Sequence, residues 1–158
     1  MAQGRLGGIA RHDRPYGPIE TLGHVSVTVG EGLHGCIRSA LSSTKKTRKR
    51  QISLMEAESW EAAVDEIGLA GGDRPAWHER RANLLVSGLR LPREAGRVIA
   101  IGASLRIEVT CACDPCSRME AVAAGLKAAL TPDWRGGVLG RVLEGGDIAV
   151  GDEVRIEE

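Results

Sequence analysis

The sequence predicts a mainly β, α+β domain: a partly closed β-barrel with a few helices packed on its outside. Three observations carry this. Short β-branched segments recur along the whole chain, only two windows have helical spacing, and 21 of the 158 residues are glycine. That is about twice the usual share of roughly 7% and favours many turns and close backbone approaches. A chain of 158 residues is long enough for one real core and short for two, so a single domain over residues 1–158 is expected.

In chain order, Leu22 to Val29 (LGHVSVTV) alternates and reads as one strand, with Leu22 and His24 on one face and Val25, Val27 and Val29 on the other. GEGLHG then breaks it. Residues Ile37 to Arg50 contain SALSSTKKTRKR, polar and basic, and read as a loop before a short strand, QISLM. In EAESWEAAVDEIG, Trp60, Val64 and Ile67 recur at helical spacing, with Ser53 and Glu56 at capping-box distance and Gly68 as terminator. Asn83 to Ser87 is a short apolar run expected to be a buried strand, and Arg97–Ile101 with Ser104–Thr110 form a hairpin around Gly102. A second helix is expected from Arg118 to about Leu130, weakened by Gly125. The C-terminal GGVLGRVLEGGDIAVGDEVRIEE reads as strand, turn, strand, with the last strand closing a sheet.

The 21 basic and 21 acidic side chains cancel, so no global field draws the protein to nucleic acid or membrane, and any anion site must be local. No apolar run approaches the length of a membrane span, and MAQGRLGGIARHDRP lacks a signal-peptide core. These features lead to an expectation of a cytoplasmic protein, in which the four cysteines stay thiols or ligands rather than disulfides.

Three of those cysteines crowd TCACDPCSRME, residues 110–120. A zinc clip from Cys111, Cys113 and Cys116 needs a fourth ligand, and His12, His24, His34, His78 and Cys36 are all distant in sequence. Alternation instead places Ile107, Val109, Cys111 and Cys113 on one strand face, where cysteine behaves as a small apolar residue. Cys116 differs. Pro115 stops the strand, Ser117 and Glu120 make an S-x-x-E capping box, and Cys116 is left at the mouth of a helix beside Arg118. Free N–H groups and a nearby cation favour a thiolate over the ordinary thiol of pKa about 8.5, with Asp114 opposing. A nucleophile and a soft-metal ligand both suit that setting, and the bland alternative is a buried, inert cysteine.

The order GEGLHG, RQISLM, RRANLLVSGLRL, an Ile-Gly hairpin, CDPCSRME, GGVLGRVLEGG and IAVGDEV resembles the MOSC domain, named for the C-terminal region of molybdenum cofactor sulfurases, over about residues 22–154. The resemblance implies a MOSC-type β-barrel and a cysteine devoted to sulfur or molybdenum chemistry, which aligns with Cys116. In cofactor-holding relatives the matching thiolate is a direct metal ligand, as suits a soft donor. Arg81 and Asn83 resemble the R-x-N element that faces the pterin and its phosphate, and Arg50 with Gln51 resembles an R-Q before a strand, where Arg50 faces the pocket. His34 and Gly35 resemble the family's His-Gly element, although the acidic residue of that turn is absent and Glu31 stands nearby. A histidine there either acts on substrate or is structural.

The resemblance thus implies bound molybdenum cofactor (molybdopterin), with Cys116 as metal ligand, Cys116 and His34 as catalytic residues, and Arg81, Asn83 and Arg50 as cofactor contacts. Two functions follow. One is a reductase of N-hydroxylated small molecules supplied by a separate redox protein, since no flavin or iron–sulfur motif is visible in the chain. The other is a carrier of persulfide sulfur or of the cofactor to a partner protein. Of the basic cluster Lys45, Lys46, Arg48, Lys49 and Arg50, solvation is the first expectation, phosphate contact the second and nucleic acid the third.

Overall fold

A computed structural model describes residues 3–157. The strands are β1 (Gln3–Arg11), β2 (Glu20–Leu22), β3 (His24–Thr28), β4 (Gly32–Leu33), β5 (Ile52–Glu56), β6 (Leu84–Ser87), β7 (Val98–Ile101), β8 (Leu105–Ala112), β9 (Val138–Glu144), β10 (Gly146–Ala149) and β11 (Glu153–Glu157). The helices are α1 (Ile37–Ser43), α2 (Ala57–Glu66), α3 (Ser117–Val122) and α4 (Leu126–Leu130). Seven strands close a barrel in the order β1, β11, β7, β8, β9, β5, β6 and back to β1. All neighbours are antiparallel except β5 and β6. A parallel pair needs a long crossover, and here it is α2 followed by a 3-10 turn, Trp77–Arg80. A second sheet, β10-β3-β4, stands beside the barrel, and β2 extends the end of β1.

The barrel interior is aliphatic. Leu6, Ile52, Leu84, Ile99, Ile107 and Val142 are among its buried residues, as a chain without phenylalanine requires. A second apolar layer lies between the barrel wall and the helices, where Met55, Trp60, Val64, Met119, Leu126 and Leu130 meet. β5 is buried along its whole length because it faces both layers.

The mainly β barrel with peripheral helices is therefore the expected one, but the strand that closes it was not expected. β1 reads QGRLGGIAR, and its glycines break the hydrophobic alternation that marks a strand. They are there for space. A Cβ on Gly4 would lie 2.6 Å from Leu89 Cβ, and one on Gly8 would lie 2.5 Å from the Trp77 indole. A bulge between Leu6 and Gly8 shifts the register of β1 against β6.

Four expectations change. The strand over Leu22–Val29 is broken at Gly23, so that β2 pairs with the end of β1 and β3 joins the small sheet; Val25 and Val27 are buried, whereas Val29 is exposed. The polar segment from Ile37 is not all loop: it begins with α1, which turns Ser39 and Ser42 inward. Ser39 Oγ donates to the Gln51 carbonyl at 2.5 Å, and this hidden hydroxyl function is why the helix has no apolar stripe.

Ser53 does not cap α2. It lies in β5 and bonds Asn83, while the Glu56 carboxylate accepts from Ser59 Oγ (2.7 Å), the Leu91 amide (2.6 Å) and Arg93. Burial opposes ionisation of Glu56, but these donors outweigh it and hold its pKa below the ordinary carboxylate value. Finally, the helix expected from Arg118 to Leu130 is two helices. Gly125, at φ 87°, begins the second, and the Glu120 carboxylate accepts the Gly125 amide at 2.9 Å instead of capping the first.

Candidate functional site

A cleft of about 1400 Å³ opens on the outside of the barrel between the segment after β1, α1 with its following loop, the connection before β6, and α3. Cys116 lies on its wall. The thiol is exposed, and its residue stands in extended conformation (φ −116°, ψ −177°) immediately before α3. α3 is six residues long, so its axial dipole is short.

The position of Cys116 is fixed from behind. Arg80, 7% exposed, donates through Nη2 to the Cys113 carbonyl (2.7 Å) and lies 3.3 Å from Cys113 Sγ, while its Nε donates to the Gly136 carbonyl (3.1 Å). The Cys113 amide donates to the Gly137 carbonyl at 2.8 Å. A Cβ on Gly136 would stand 2.3 Å from the Cys113 carbonyl oxygen, so the turn leading into β9 approaches the cysteine loop as only glycine permits.

Arg81 faces the opposite way from Arg80. It ends the 3-10 turn at φ 65°, left-handed for a residue with a side chain, and lines the cleft with Nη2 donating to the Gly17 carbonyl at 2.8 Å. The strained backbone splits the arginine pair, one inward to the cysteine loop and one outward to the cleft.

Arg38 from α1 and Arg118 from α3 line the same cleft. Burial, then Arg118 and Arg38, lower the Arg81 pKa, with Glu79 opposing. On the floor is His12, which follows β1 and is 6% exposed. Its carbonyl accepts the Ile37 amide at 2.9 Å, tying it to the start of α1. Burial first, then Arg81, Arg38 and Arg118, push the imidazole down to about 4, against a small opposing pull from Asp13. His12 is therefore neutral at pH 7 inside a cationic field.

Of the other residues singled out in the sequence, Arg50 lines the cleft with Lys45 and Lys49. Arg48 does not. At φ 48° it turns inward, and Nη1 donates to the carbonyls of Val29 (3.2 Å) and Val142 (3.0 Å) and to Gln51 Oε1 (3.0 Å).

Asn83 is 4% exposed and behind the cleft wall. Its Oδ1 accepts from the Ser53 amide (3.1 Å) and Ser53 Oγ (3.2 Å), and its Nδ2 donates to the Ala10 carbonyl (3.1 Å) and reaches Cys36 Sγ at 3.4 Å. That fills the amide's hydrogen-bonding capacity and ties β1, β5 and the start of α1 together. His34 is exposed, holds Glu31 through Nδ1 at 2.7 Å, and is not among the cleft-lining residues.

Cys111, expected on the buried face, is half-exposed because a bulge between Val109 and Cys111 shifts the register. Cys113 is buried. Among the described residues no three His, Cys, Asp or Glu side chains are grouped to hold a metal ion, so the zinc clip has no structural basis.

His12, Arg38 and Tyr16 are cleft residues that sequence reasoning missed. Tyr16, the only tyrosine, is 84% exposed at φ 58°, with the Arg118 guanidinium carbon 5.3 Å from its ring centre. The signal available was the polar, turn-forming HDRPYGP directly after a glycine-rich segment.

A seven-stranded barrel closed around an aliphatic core, with one exposed cysteine on a basic external cleft, defines a small β-barrel domain with a thiol beside a cationic surface. The chain belongs to the MOSC domain family, whose profile matches residues 23–155.

Its fold is similar to that of YuaD from Bacillus subtilis, with a TM-score of 0.78 at 17% identity over 98% of this chain and 95% of that one. It is also similar to YiiM from Geobacillus stearothermophilus (TM-score 0.69, 17% identity, 98% and 75% covered) and YiiM from Escherichia coli (0.67, 15%, 98% and 70%). At these identities the likeness is one of fold. No curated protein matches the sequence. No helix among the described residues is long and apolar enough to cross a membrane.

Proposed function

We propose that this protein binds molybdenum cofactor in the cleft, with the Cys116 thiolate as a ligand of the metal, and reduces N-hydroxylated small molecules. The observation that carries the reading is the exposed Cys116 thiol on the wall of a cleft whose other walls bring Arg38, Arg81 and Arg118 toward one buried histidine. That donor set fits the group: a soft sulfur suits a high-valent metal, and planar guanidinium forks suit the phosphate of the pterin tail.

Arg81 would hold the phosphate and Arg50, which lines the same cleft, would contact the pterin, while Asn83 acts from behind by bonding Ser53 and the Ala10 carbonyl. Arg80 keeps the loop bearing Cys116 in place. His34, outside the cleft, has no part in this reading. When bound, the cofactor supplies two-electron oxygen removal, in which N–OH plus two protons and two electrons gives N–H and water. The electrons would come from a separate redox protein.

Metal analysis of gently purified protein tests this. Stoichiometric molybdenum with pterin fluorescence, both lost in Cys116→Ser, is the expected result. Zinc in place of molybdenum, retained in Cys116→Ser, sinks the reading.

The exposure of Cys116 and the openness of the cleft favour one alternative, a carrier of persulfide sulfur or of the cofactor for a partner enzyme. A mass gain of one sulfur at Cys116 after treatment with a cysteine desulfurase, together with no turnover of amidoximes or N-hydroxylated purines by cofactor-loaded protein, selects the carrier.

A further inference from the structure

We propose that the rim of the cleft formed by Tyr16, Leu41, Lys45, Lys49 and Arg50 is the docking face for an acidic electron-carrying protein. The partner's role rests on the reductase reading, whereas its docking needs no bound molybdenum.

The chain is neutral as a whole, with 21 basic and 21 acidic side chains, but the two signs are not evenly mixed. Over much of the surface cations meet carboxylates: Arg11 holds Glu20, Arg106 holds Glu157, Arg135 holds Glu66 and Arg141 holds Glu108. At the cleft they do not. Among the described residues, Arg38, Lys45, Lys49, Arg50 and Arg118 enter no ion pair. The part of the lining drawn from α1, its following loop and α3 contains no acid. Asp73 and Glu79, the acids that line the cleft, both come from the connection before β6. A neutral molecule with uncompensated cations on one face steers an anionic partner toward that face.

The apolar content of the same rim selects a protein over a simple polyanion. Tyr16 at 84% and Leu41 at 55% are the most exposed large hydrophobic side chains among the described residues, and both line the cleft. Protein interfaces combine such aromatic and aliphatic anchors with a polar, charged rim. Single-stranded nucleic acid instead takes several aromatic platforms along a basic groove. Here Tyr16 is the only Phe, Tyr or Trp side chain on the lining, and its ring already carries the Arg118 guanidinium. Because Cys116 lines this cleft too, a protein seated on the rim faces the wall that bears the thiol.

A flavodoxin and a plant-type ferredoxin, acidic carriers of a flavin and of an iron–sulfur centre, are the probes. Calorimetry follows their binding to the intact protein at about 20 mM and about 300 mM salt. One of them should bind, with an affinity that falls at least about tenfold over that range. The double variant Lys45→Glu, Lys49→Glu should bind about tenfold more weakly at low salt and lose most of the salt dependence. Leu41→Ser should weaken binding about fivefold at both salt concentrations, because an apolar anchor is not screened. Lys127→Glu, on α4 and outside the cleft, should change neither. All four side chains are exposed, and a thermal midpoint equal to wild type confirms that each variant is folded.

Affinity weaker than about 1 mM for both carriers at low salt overturns the proposal, as does an unchanged affinity in the lysine double variant. Tighter binding of a single-stranded oligonucleotide, sensitive to the lysines but indifferent to Leu41→Ser, overturns it in favour of nucleic acid. The titrations are run with and without molybdenum cofactor. Carrier binding in a protein that takes up no molybdenum upholds the docking face and removes the reductase reading; molybdenum uptake without carrier binding removes the docking face alone.

Discussion

His12 shows how one side chain can tie stability to pH. Its folded-state pKa is lowered from 6.5 to about 4, so the unfolded chain binds more protons between these values. The stabilisation is fully present above pH 6.5 and is lost as the pH falls toward 4, a loss of roughly 3 kcal/mol. Urea denaturation of wild type and His12→Gln at several pH values checks this. The wild-type advantage should shrink by about that amount between neutral pH and pH 4, whereas a constant difference would contradict it.

At this scale the sequence was legible where chemistry was local. Cys116 stood apart from Cys111 and Cys113 because Pro115 and the polar residues after it mark a chain junction. It was not legible where two adjacent, identical residues part company. Nothing in Arg80-Arg81 says that the first is buried against Cys113 and the second faces the cleft, because the left-handed turn at Arg81 that separates them is imposed by the surrounding barrel.

The elements carry a second lesson, since their breaks matter as much as their runs. Gly125 and Gly23 each mark a break in what periodicity alone would have continued: at Gly23 the chain passes to another sheet, whereas α3 and α4 on either side of the Gly125 break pack in one layer. Helix α1 escaped notice because its buried face is made of serines that bond the backbone of neighbouring strands.

The approach to β9 gives the sharpest element-scale expectation. Gly137 sits at φ 103°, and a Cβ there would be 2.2 Å from the Leu54 carbonyl oxygen. Gly137→Ala therefore combines a disfavoured backbone with a clash against backbone that cannot swing away, and should cost on the order of 3 kcal/mol or more. Because the Gly137 carbonyl also accepts the Cys113 amide, the same variant should alter the rate at which Cys116 reacts with a thiol reagent such as iodoacetamide. A denaturation midpoint equal to wild type would refute the first expectation, and an unchanged alkylation rate the second.

For the whole molecule, the class of fold was readable from many short β-branched segments, two helical windows and abundant glycine. The closure of the barrel was not. β1 lies outside the family-matched residues 23–155 yet bonds β11 on one side and β6 on the other, and it ends by delivering His12 to the cleft floor. A barrel spreads its specification over distant pairings, and a strand that is one-third glycine contributes space and hydrogen bonds rather than a pattern that can be read along the chain.

The pairing of Gln3 with Arg155 has one more consequence. The first and last strands run side by side in the same sheet, so the connectivity of the described residues is nearly a ring, open between β11 and β1. A short Gly-Ser linker across that gap, with new ends opened at the exposed Glu94–Ala95 bond, gives a circular permutant in which every strand keeps its neighbours. It should unfold cooperatively with a stability within about 2 kcal/mol of the parent, and loss of the cooperative transition would show that the order of the chain, and not only its pairings, holds the ring closed.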